Sequence, residues 1–148
     1  TVTVTATPPP TVDAFTATAA VCDDGGGTNP PDAVLDLAPN SVQPYSVSYR
    51  LLRISTGVTG AIIGPATFNS DASGVITIAP TYAQMGNAPD TQGYQVIITS
   101  IVNTATGCSG SVPIDGPILI VNPRPAVPTG AVGAIACSSA LSGATVSV

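Results

Sequence analysis

Residues 90–102 read DTQGYQVIITSIV, and this stretch decides what kind of chain it belongs to. From Tyr94 onward it is dense in β-branched residues, which suit a pleated strand better than a helix. Asp90 stands four residues before a tyrosine that opens the strand. That spacing predicts a tyrosine corner, in which the Tyr94 hydroxyl bonds back to the chain just upstream and Val96 and Ile98 carry the strand onward. The competing expectation is that Tyr94 is only a half-buried strand aromatic.

Outward from it the chain keeps the same character. Short runs predict strands over Val12–Val21, Ala33–Leu37, Tyr45–Ile54, Ala66–Asn69, Val75–Ile78, Tyr94–Asn103 and Ile118–Val121. In YSVSYRLLRI the alternation places Tyr45, Val47, Tyr49 and Leu51 on one face. FNSDASGVITI is expected to form a hairpin, with Asp71–Gly74 supplying the turn. Seven strands separated by Gly, Pro, Asn and Asp predict two packed sheets.

Composition narrows the function. The 148 residues include no Lys, Glu, His or Trp, and the bases are Arg50, Arg53 and Arg124 alone. A net charge of −5 with three scattered arginines cannot neutralise a phosphate backbone, which excludes nucleic-acid binding. No apolar run approaches the roughly twenty residues that span a bilayer. General acid–base chemistry draws on His, Glu, Lys or opposed carboxylates, and only scattered Asp is present. Cys108, in GCSG, has no base to activate it, so no enzyme is expected. Carbohydrate platforms normally use exposed Trp or Tyr. With Tyr45, Tyr49 and Tyr94 assigned to core or corner, Tyr82 is the freest aromatic.

The ends of the chain echo each other. Pro8 and Pro123, Pro10 and Pro125, Val12 and Val127, Ala19 and Ala134, and Cys22 and Cys137 are identical pairs, each 115 residues apart. Both copies run strand, proline hinge, strand, cysteine, and AVLDL at Ala33–Leu37 has its counterpart in ATVSV at Ala144–Val148. This predicts a tandem repeat of about 115 residues. Residues 1–10 then hold the last strand and linker of a preceding repeat, 11–121 a complete repeat, 122–125 a linker and 126–148 the start of the next. Thr1 already lies inside a strand pattern, so the true N-terminus is expected elsewhere. Pro8, Pro9 and Pro10, and again Pro123 and Pro125, favour short, stiff, extended links.

Within that frame Cys22 and Cys108 belong to one unit and Cys137 to the next. A Cys22–Cys108 disulfide is expected, and with it an oxidising, extracytoplasmic setting. Two buried thiols are the alternative, because the end of a first strand and a last turn need not share a pole. The loop CDDGGGTNPPD offers Asp23, Asp24 and Asp32 as oxygen ligands for calcium, without the alternating spacing of a known calcium loop. Asp13 and Asp115, near the hinges, are a weaker interdomain pair. No other cofactor is expected.

These residues resemble a known family. TATPPPTV…AAVC, YQVIITSIVNTATGCSGS and ILIVNPRPAV…AIAC are similar to the immunoglobulin-like or PKD-like repeats of very large Bacteroidota surface adhesins, including gliding-motility adhesins of the type IX route. The matching positions are Cys22, Tyr94, Gly107, Cys108, Ser109 and Asn122–Pro125. The long loop at 23–32 departs from the pattern. The resemblance implies an all-β, immunoglobulin-like β-sandwich at the bacterial cell surface, a non-catalytic structural repeat of an adhesin stalk or filament. Its partners would be neighbouring repeats of the same chain. Two other functions stay open: a glycan- or protein-binding adhesin domain using loops 23–32 or 55–65, and a subunit of a self-assembling filament of identical chains.

Overall fold

The computed structural model describes residues 7–24, 29–38 and 42–126. Of the expected flanking units, residues 1–6 and 127–148, with Cys137, lie outside the described residues. Within them the chain is an all-β sandwich. Its strands are β1 (Thr11–Ala17), β2 (Val21–Cys22), β3 (Ala33–Ala38), β4 (Pro44–Arg53), β5 (Val58–Thr59), β6 (Ile63–Asn69), β7 (Val75–Ile78), β8 (Asp90–Asn103) and β9 (Ile114–Asn122). One sheet has the order β1-β3-β7. The other runs β2-β9-β8-β4, with β5 and β6 both laid against the outer side of β4.

The core forms where the inward faces of the two sheets meet. Ala33, Leu35 and Leu37 alternate inward from β3, and Ile76 and Ile78 from β7. Tyr45, Val47, Tyr49 and Leu51 answer them from β4, all on one face as the alternation requires. On β8 the inward set is Tyr94, Val96 and Ile98, then Ile101 and Asn103, so the phase slips by one residue. The slip is a β-bulge. Ser48 pairs with Ser100 and Tyr49 with Ile98, which leaves Thr99 as the extra residue. Its hydroxyl donates to the Ser48 carbonyl at 3.1 Å.

Two expectations about connectivity are corrected. The run Val12–Val21 is two strands in different sheets. β1 pairs antiparallel with β3, and β2 crosses over to pair in parallel with β9. The break falls at Thr18, whose N–H donates to the Asp32 carbonyl and whose hydroxyl accepts from the Asp32 N–H. The stretch FNSDASGVITI turns at Asp71–Gly74 but is not a hairpin, because β6 pairs with β4 and β7 with β3. The Asp71 carboxylate accepts from the Ser73 and Val75 N–H groups, so the turn chemistry is as expected. Local residues specify a turn, whereas the partner on each side of it is set by the inward faces. Two short elements carried no periodic signal, β5 and a single turn of 3-10 helix at Ala83–Met85.

Candidate functional site

The chain passes through this sandwich from one pole to the other. β1 enters with Thr11 beside Ala38 and leaves with Ala17 beside Ala33. β9 travels the same way, since Ile114 lies with Pro9, Pro10 and Val12 around one hollow and Asn122 ends beside Cys22. Entry and exit are therefore at opposite ends of the molecule.

At the entry pole, Pro10 is buried while Pro8 and Pro9 are exposed. Pro10 sits on Gly110, where a Cβ would lie 2.8 Å from the Pro10 carbonyl oxygen and 2.8 Å from the Ile101 side chain. Only glycine permits that approach, so the proline segment is anchored to the sandwich and not merely tied to it. Beside it lies the loop 104–108. Asn103 organises this loop: its side-chain carbonyl accepts from the Ala105 and Thr106 N–H groups, and its backbone N–H donates to the Cys108 carbonyl. Cys108 is held there half-buried, its thiol donating to the Thr7 carbonyl at 3.5 Å.

At the exit pole, Cys22 is exposed, in register with Asn122, and the Asp23 N–H donates to the Asn122 carbonyl at 2.8 Å. Asn122 is half-buried, and Pro123, Arg124 and Pro125 are exposed. The expected Cys22–Cys108 disulfide is not formed, and the geometry says why. β9 alone separates the two cysteines by eight residue steps, roughly 26 Å at about 3.3 Å each. A disulfide needs Cα atoms within about 7 Å.

The same exit pole carries the corner. The Tyr94 hydroxyl donates at 2.9 Å to the carbonyl of Ala88, six residues upstream. Asp90 is 5 % exposed and lies at the centre of a small polar hub. Its carboxylate accepts from Arg53 Nε at 2.8 Å, from the Ser55 hydroxyl, and from the N–H groups of Gln92 and Gly93. Burial pushes this carboxyl up, but the hydrogen bonds from Ser55, Arg53, Gln92 and Gly93 outweigh it and hold the pKa down at about 2. The Arg53 guanidinium also lies 5.8 Å from the centre of the Tyr94 ring. Gly93 has φ +84°, and a Cβ there would run into Ile118 and the Leu119 carbonyl.

The remaining candidates do not assemble into a site. Among the described residues no three His, Cys, Asp or Glu side chains are grouped to hold a metal, and residues 25–28 of the loop that carries Asp23, Asp24 and Asp32 lie outside the described residues. Asp32 fastens the β1–β2 break through its backbone. Asp13 and Asp115 are exposed on β1 and β9. Tyr82 is not an open platform. It packs half-buried against the core, and burial followed by neighbouring Asp23 raises its pKa. Among the described residues no helix is long and apolar enough to cross a membrane.

The Arg53–Asp90 pair and the docking of Pro10 were not anticipated from sequence. For the first, a signal existed in that Arg53 is one of only three cations and ends a core strand. For the second there was none, because Gly110 looks like any turn glycine. No family model matches the chain, and neither does any curated protein or solved structure.

Proposed function

We propose that this sandwich is an immunoglobulin-like unit of a tandem array, a non-catalytic structural repeat in the extracellular stalk of a bacterial surface adhesin. The observation that carries the proposal is polar entry and exit: Pro8–Pro10 at one end, Asn122–Pro125 at the other. Units joined in that way line up end to end, and proline links with one residue docked restrict bending. The order β1-β3-β7 against β9-β8-β4 and the Tyr94–Ala88 bond support the immunoglobulin-like assignment. Scarcity of charge and absence of Lys fit a surface built from Thr, Ser and Asn, which offers trypsin few sites.

The test is small-angle scattering on a double-length chain, in which 1–125 is followed by 11–148 so that two complete units stand 115 residues apart. A stalk predicts a rod whose maximum dimension grows by about 40 Å for the added unit. That is the span of the fourteen-residue β8 at about 3.3 Å per residue. Units folded back against each other would contradict it.

A second reading, a ligand-binding adhesin domain, is favoured by the loop between β4 and β6. Val58 and Ile62 are 63 % and 62 % exposed there. Val58 also lines a hollow of about 360 Å³ together with Arg53, Gln84 and Tyr94. Capture of a glycan or protein that is lost on joint Val58→Ser and Ile62→Ser substitution would establish this reading, and an inert surface would remove it.

A further inference from the structure

The two cysteines are too far apart to bond within a unit, yet both lie against the same part of the repeat. Cys108 touches the carbonyl of Thr7, and Cys22 is paired with Asn122. Thr7 and Asn122 are 115 residues apart, the repeat spacing, and each immediately precedes the first proline of a linker. They are one position of the array met twice, once from the unit that follows it and once from the unit that precedes it.

We infer that Cys22 of one unit forms a disulfide with the residue equivalent to Cys108 in the next unit, so that the bond locks the joint between units and not the sandwich itself. The inference rests on the tandem-array reading. In a continuous array the linker residue has Cys22 of the preceding unit one strand spacing away, about 4.8 Å between neighbouring backbones. On the other side, the thiol of the following unit lies 3.5 Å from its carbonyl. Both cysteines thus converge on one residue of the linker, which is the approach a bridge across the joint requires, since a disulfide needs its Cα atoms within about 7 Å.

Both cysteines are also presented for the reaction. Cys22 is exposed at the end of β2, and Cys108 is held at the pole by the Asn103-organised loop. Formation needs a disulfide oxidant such as oxidised glutathione. One thiolate attacks the oxidant and releases a first reduced thiol, and the second cysteine thiolate displaces the other. The two protein thiols lose two protons and two electrons, and one oxidant disulfide becomes two thiols. A bond so placed ties each unit's exit to the next unit's entry beside the linker residue. Cys137, which repeats Cys22 at the 115-residue spacing, would serve the following joint in the same way.

The test uses the double-length chain with Cys137→Ser, oxidised with glutathione disulfide, digested without reduction and mapped by mass spectrometry. The expected product links Cys22 of the first copy to Cys108 of the second, while the outer Cys108 and Cys22 are blocked by the alkylating reagent. Cys22→Ser in the first copy alone should abolish the bridge, and the same change in the second copy should leave it intact. A Cys22–Cys108 bridge inside one copy would overturn the inference, as would full alkylation of both joint thiols after oxidation. Scattering from the same sample separates the two proposals. A rod without the bridge sinks only the disulfide, whereas a folded-back pair sinks the array as well.

Discussion

Tyr45 and Tyr94 carry the same hydroxyl into the same core with opposite consequences. Tyr94 places its O–H on the Ala88 carbonyl, while the Tyr45 hydroxyl is buried with no hydrogen-bond partner among the described residues. Burial raises the pKa of both. Tyr94→Phe should therefore lower unfolding free energy by about 1 kcal/mol, and Tyr45→Phe should be neutral or stabilising. Urea denaturation of the two variants side by side checks the pair. Asp90 gives a second residue-scale prediction. Its folded pKa of about 2 lies below the ordinary carboxylate value of 3.8. The stability it contributes is thus fully present above about pH 4 and is lost as pH falls through about 2. The shift corresponds to about 2 kcal/mol. Denaturation midpoints between pH 5 and pH 2 should fall for the natural chain and fall less for Asp90→Asn. Equal slopes would show that Asp90 is not the group responsible.

At the scale of elements, the bulge in β8 makes an unusual prediction. Deleting Thr99 removes the extra residue but keeps Ile101 and Asn103 facing the core, so the strand becomes regular and the fold should survive. Inserting one residue after Thr99 also gives an even spacing from Ile98 to Ile101, but it moves Ser100–Asn103 two positions out of register with β4 and should destabilise the fold more than the deletion. Circular dichroism and thermal melts of the two variants distinguish these outcomes. Gly93→Ala, which forces a left-handed position and meets Ile118, should cost more than about 1 kcal/mol for the first reason alone. The elements also mark where sequence was readable. Val75–Ile78 was found to the residue, and β3, β4 and β8 within a few residues at their ends, because each has a run of inward apolar side chains. The β1–β2 crossover was not legible, since Thr18–Ala20 continues the small-residue pattern and the break is made by a long-range bond to Asp32. Which strands flank the Asp71 turn was equally hidden, because pairing is decided by sheets that form from distant residues. At the candidate joint, sequence supplied the cysteines and prolines but expected Cys22 and Cys108 to meet, because periodic patterns carry no pole assignment.

For the whole molecule, the arrangement of poles matters more than any cleft. Tension applied through Pro8 and Pro123 runs along β1 and β9 from end to end, and it loads the parallel β2–β9 pairing in shear. The bonds of that pairing then resist together and not one by one. A unit used as a spacer needs that property, together with a fixed rise and a restrained joint. The central claim is that successive units continue in one line, and electron micrographs of chains carrying two, four and eight units measure it directly. The account predicts unbranched rods whose contour length grows by about 40 Å per unit, with little spread in the angle at each joint. Compact clusters, or beads at freely variable angles whose length does not scale with unit number, would contradict it.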